Sequence, residues 1–99
     1  MTNGYKILWT DHALEELSET IQYLETFFSE KEINRLANKI EETITLISQN
    51  PLLFPVSDTK NVRKINLLKF NTIYYRIKND TVEIISFFSN RQNPEKRNF

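Results

Sequence analysis

Between Thr10 and Asn50 the apolar residues recur every three or four positions in two separate stretches, and the break between them at Ser29 restricts the chain to folds that dock an antiparallel helix pair against another layer. The first stripe is Leu14, Leu17, Ile21, Leu24 and Phe28, which leaves Glu15, Glu16, Glu19 and Glu25 expected in water. Thr10 and Asp11 can cap its start, and acids in the first turn suit the helix dipole. Ser29 followed three positions later by Glu32 has the spacing of a capping box, so a second helix begins there and the first does not continue. Its stripe is Ile33, Leu36, Ala37, Ile40, Ile44 and Ile47. The junction is short, so the helices fold back on one another. Asn50-Pro51 ends the pair, because Asn tolerates the left-handed C-terminal position and Pro cannot continue a helix.

The flanking segments have a period of two. Tyr5, Ile7 and Trp9 alternate with Lys6 and Leu8, as in a strand with one face more deeply buried, and Trp9 is assigned to the core. Residues 51–61 carry Pro51, Pro55, Ser57, Asp58 and Asn61 and read as a loop, ordered because Leu52, Leu53 and Phe54 are expected to pack. Strands are then expected at Val62 to Leu67, Phe70 to Lys78 and Thr81 to Phe88, with Asn79-Asp80 as a two-residue hairpin loop. That loop sets Ile77 opposite Val82, Arg76 opposite Glu83 and Tyr75 opposite Ile84. Ile73, Tyr75, Ile77, Val82 and Ile84 then share the face under the helices, while Thr72, Tyr74, Arg76, Glu83, Ile85 and Phe87 share the other, which is both polar and aromatic. The fold class is α+β: an N-terminal strand, an antiparallel helix pair and an antiparallel three-stranded meander forming one sheet. With 99 residues there is room for one core, so residues 1–99 form a single domain, ending in a weakly structured tail at 93–99.

Without cysteine the chain has no disulfide, no thiolate metal site and no thiol nucleophile, and one histidine with scattered carboxylates offers no metal-ligand spacing. No cofactor is expected. The opening residues lack a basic segment followed by an apolar run, and no stretch nears the roughly 18 apolar residues of a membrane span, so a soluble cytoplasmic protein is expected. Charge is unevenly placed: up to Asn50 there are four basic and nine acidic residues, and after it nine basic and four acidic. An acidic protein or a polyanion should therefore meet the C-terminal half.

Three segments in that half are more specific. Val62-Arg63 opens the meander, Ile73-Tyr74-Tyr75-Arg76-Ile77 lies in its middle, and Phe87-Phe88-Ser89-Asn90-Arg91-Gln92-Asn93-Pro94 follows its last strand. Together with Asn50-Pro51 and the order of elements, they resemble the RelE/ParE toxin superfamily, and the ending resembles its ParE-like branch. The resemblance covers nearly the whole chain. It implies the toxin of a type II toxin–antitoxin pair, of the kind also known as plasmid stabilisation proteins, neutralised by a cognate antitoxin in a toxin–antitoxin hetero-oligomer. RelE-like members cleave messenger RNA in the ribosome, whereas ParE-like members poison DNA gyrase and have no nuclease site.

Metal-free RNA cleavage needs a proton acceptor, a proton donor and cations that stabilise the developing phosphorane charge. Arg63, Lys64, Arg76 and Arg91 supply candidate cations, and Tyr74 could stack on a base. Where many nuclease members carry a His or Tyr, this chain reads Phe88-Ser89-Asn90, and His12 is expected to be an exposed residue of the first helix. The expectation is therefore a non-catalytic gyrase inhibitor that contacts its target through Arg63, Tyr74, Arg76 and Arg91. A RelE-like ribosome-dependent endoribonuclease and a degenerate member retaining only antitoxin binding stay open. Arg76 also has a plain structural account, an ion pair with Glu83 across the hairpin.

Overall fold

The computed structural model describes residues 4–56 and 61–90. These form β1 (Lys6–Trp9), α1 (Asp11–Phe27), α2 (Glu30–Gln49), β2 (Arg63–Leu67), β3 (Asn71–Lys78) and β4 (Thr81–Ser89). The four strands make one sheet in the order β1-β4-β3-β2, with β1 parallel to β4 and the other two pairings antiparallel. The α+β class and the order of elements are as expected from the sequence. The expectations for Arg91 and for the tail at 93–99 lie outside the described residues.

Thr10 caps α1 with its side chain, which accepts from the Ala13 amide. Ser29 is the N-cap of α2, but its side chain makes no capping hydrogen bond, so the serine half of the capping box is not formed although the helix starts where its spacing predicts. Asn50 ends α2 with φ −150°, outside the left-handed region; its amide donates to the Leu46 carbonyl instead. In the hairpin loop only Asn79 takes a positive φ, 58°.

The core lies between the helix pair and one sheet face: Ala13, Leu24, Leu36 and Ile47 meet Ile65, Leu67, Ile73, Tyr75, Val82, Ile84 and Phe87. Each large side chain buried there contributes roughly 1.5–3 kcal/mol before the entropy of folding is counted. The expected stripes are shifted. Leu14, Phe28 and Ala37 are exposed, and the small residues Ala13, Thr20 and Thr43 are buried. A helix crossing a sheet closely has its nearest approach at small side chains, which hydrophobicity alone does not mark. In the loop after α2, Phe54 packs on the core but Leu52 and Leu53 are exposed, contrary to expectation.

The main departure is in β4. The register runs as predicted from Lys78↔Thr81 to Tyr75↔Ile84, then shifts, so that Tyr74 faces Ser86 and Ile73 faces Phe87. The extra residue is a β-bulge, which reverses the alternation after Ile84. Phe87 therefore enters the core, 1% exposed, rather than joining Tyr74 on the far face, and Phe88 takes the outward position opposite Thr72.

The bulge sits where β4 loses its neighbour. Because β1 stops at Trp9, opposite Ile84, the rest of β4 has no strand on that side among the described residues. The N-cap and first turns of α1 take over. The Thr10 amide donates to the Ile84 carbonyl (3.0 Å), and Glu16 Oε1 accepts the Phe87 amide (2.9 Å) and the Ser86 hydroxyl (2.7 Å). Glu16 was expected in water with its neighbours; instead it caps a sheet edge whose amide would otherwise be unpaired.

Candidate functional site

The sheet face away from the core is a lattice built by cross-strand pairing. Lys6, Thr81 and Lys78 form one row; Leu8, Glu83 and Arg76 form the next; Tyr74 and Lys64 are opposite one another in the third; and Phe88, Thr72 and Asn66 form the last. Exposed apolar surface lies among the charges, with Leu8 51% and Phe88 37% exposed. Such mixed aromatic, aliphatic and cationic surface is typical of macromolecular contacts.

This face brings together some of the residues singled out in the sequence. Lys64 and Tyr74 are direct neighbours upon it. Arg76 is there too, but its Nε lies 2.5 Å from Glu83 Oε1, so its charge is already engaged. Arg63 is not there. It pairs with Tyr75, whose side chain is in the core, and so projects to the helix side while Lys64 projects away. Its Nη1 donates to the Phe54 carbonyl at 2.6 Å, and the Tyr75 hydroxyl donates to the Pro51 carbonyl at 2.6 Å. These two bonds tie the loop after α2 to the sheet. Burial pushes the Tyr75 phenol above its ordinary pKa, opposed by the Arg63 charge. The expected cage of Arg63, Lys64 and Arg76 around one phosphate is therefore split by the sheet, and Arg91, its fourth member, lies outside the described residues.

Lys6, Leu8 and Lys78 were missed as members of this surface. Alternation already gave Lys6 and Leu8 a common side, but which strand β1 joins is a long-range choice. Phe88 changes sides only because of the bulge. His12 is in the first turn of α1, with Nε2 3.3 Å from Glu16 Oε1. A separate cleft of about 390 Å³ opens between the helices and the β2–β3 turn, lined in part by Leu24, Arg35, Leu36, Lys69 and Phe70. Among the described residues, none of those singled out for target contact or catalysis lines it.

The fold is shared with solved toxins. The chromosomal ParDE system of P. aeruginosa matches with a TM-score of 0.73 at 15% identity, covering 89% of this chain and 98% of the other. The YoeB/ParE toxin from Agrobacterium tumefaciens gives 0.60 at 14% identity over 86% and 98%. The E. coli DinJ-YafQ toxin–antitoxin complex gives 0.59 at 12% over 87% and 92%. No curated protein sequence matches the chain. Residues 7–94 match the family described as ParE toxin of type II toxin–antitoxin system, parDE. The strand, helix pair and three-stranded meander found above are thus those of a known toxin architecture, and the chain belongs to the ParE toxin family of type II toxin–antitoxin systems.

Proposed function

We propose that this toxin acts by binding, with the open sheet face around Lys64, Tyr74, Leu8 and Phe88 docking on DNA gyrase, and that a cognate antitoxin neutralises it in the cytoplasm. The observation that carries the reading is the splitting of the candidate cations: Arg63 is tied to the Phe54 carbonyl on the helix side, and Arg76 is paired with Glu83. A phosphorane-stabilising cluster needs several cations converging on one point, with proton donor and acceptor beside them. A docking surface needs only exposed rings, aliphatic area and a charged rim. An antitoxin partner is supported by relatives solved as toxin–antitoxin complexes, such as DinJ-YafQ. The basic second half of the sequence suits acidic residues from such a partner.

The test is brief induction of the chain in cells, followed by mapping of gyrase-trapped DNA breaks and of mRNA ends. Trapped breaks with intact transcripts are expected. Codon-phased mRNA cuts with unaffected chromosomes would refute the binding reading and install a ribosome-dependent endoribonuclease in its place. Absence of any growth arrest would leave a member that retains only antitoxin binding.

A further inference from the structure

On the open face the strand residues Lys6, Lys64, Arg76 and Lys78 lie around Glu83, the one carboxylate carried there by a strand among the described residues; the Asp80 carboxylate, which accepts from the Thr81 hydroxyl at 3.2 Å, stands at the hairpin end. Glu83 lies in the middle of its row, between Leu8 of β1 and Arg76 of β3. Its side chain is only 17% exposed, against 47% for Arg76. The carboxylate is thus partly shielded from water, and a docking macromolecule would cover it further.

We infer that Glu83 is a specificity determinant that turns this cationic face away from nucleic acid and toward protein. The inference rests on the reading of the open face as the working surface. A phosphate backbone offers only acceptors and negative charge. Laid on this face it would leave Glu83 next to a like charge in a drying interface, and it would have to compete with Glu83 for Arg76. A protein surface supplies both donors and acceptors, so one partner can satisfy Glu83 and the lysines together. With Glu83 neutral, Arg76 loses its ion pair and the middle of the face carries positive charge alone, as a single-strand binding surface does, with Tyr74 and Phe88 beside it for stacking.

The test uses the purified chain and a fluorescein-labelled single-stranded oligouridylate, with affinity measured by anisotropy across a salt series. Glu83→Gln keeps the size of the side chain and one acceptor oxygen. It is expected to bind the oligonucleotide roughly tenfold more tightly than wild type at about 0.05 M salt, with log K falling more steeply with log salt by about 0.7, one added phosphate contact. Glu83→Thr should gain similarly. Adding Arg76→Ala to Glu83→Gln should abolish the gain. Glu83→Gln keeps an acceptor at the same place and Arg76 is half exposed, so the melting temperature should change little. If both neutral variants bind within about twofold of wild type, or if the gain survives removal of Arg76, the inference is wrong. A wild-type chain that fails to trap gyrase while Glu83→Gln gains RNA affinity would sink the proposed target and leave the role of Glu83 standing.

Discussion

The bulge in β4 makes a prediction that unbroken alternation would reverse. With Tyr75 opposite Ile84 and no bulge, Phe87 would face outward and Phe88 would be in the core. In the structure Phe87 is 1% exposed and packs with Ile73 and the helices, whereas Phe88 is 37% exposed. Removing a fully buried Phe costs about 3–5 kcal/mol, because the transfer free energy is lost and the cavity only partly collapses. Phe88→Ala leaves no enclosed cavity and loses only part of a burial worth roughly 1.5–3 kcal/mol, so about 1 kcal/mol is expected. A domain of this size has on the order of 5–15 kcal/mol in total, so Phe87→Ala should remove a large fraction of it. At about 4–8 °C per kcal/mol, its melting temperature should fall by roughly 12 °C or more, against about 5 °C for Phe88→Ala. Thermal and urea unfolding followed by circular dichroism read both. Equal costs, or a larger cost at Phe88, would show that the alternation is not broken and that the outward surface has been assigned to the wrong residues. The proposed target contact should respond in the opposite order, with Phe88→Ala weakening growth arrest while the protein remains folded.

Three further outcomes follow from individual contacts. Glu16→Ala removes the acceptor of the Phe87 amide and the Ser86 hydroxyl, so it should cost about 1–2 kcal/mol and speed hydrogen exchange at Phe87, whereas Glu16→Gln keeps an acceptor and should restore most of the protection; an unchanged exchange rate in the Ala variant would show that the edge is held by something else. Burial raises the Tyr75 pKa, so the neutral phenol's contribution is whole below its ordinary value of 10.0 and is lost as pH rises through the folded value. Tyr75→Phe should therefore flatten the alkaline fall in melting temperature while costing about 0.5–1.5 kcal/mol at neutral pH through the lost bond to Pro51, and an undiminished alkaline fall would assign it to other groups. Arg63→Ala should lower stability by about 1 kcal/mol through its bond to the Phe54 carbonyl, and Lys64→Ala should change stability by less than about 0.5 kcal/mol but reduce target binding; the reverse pattern in unfolding and pull-down assays would place the two side chains on the wrong faces.

The residues of a hairpin carry their own register. Asn79-Asp80 was enough to place Arg76 beside Glu83, and that pair is present. The break at Ser29, the cap at Thr10 and the alternation around Tyr74 were equally legible, because each depends on neighbours within one or two turns of chain. Arg63 was misplaced although the same alternation applied to it. Arg63 belonged by motif with Lys64 and Arg76, yet the two-residue period of β2 sends it to the helix side, where the Phe54 carbonyl is within reach.

What the sequence determined by itself was the set of elements and their order, since periods of 3.6 and 2 and the residues that cap or turn a chain are local properties. Only the tertiary structure decided which strand β1 would join, where β4 would lose its neighbour, and hence that Glu16 would cap the exposed edge and a bulge would exchange the sides of Phe87 and Phe88. Those outcomes depend on how far β1 extends along a strand more than seventy residues away, a distance across which no local pattern carries information.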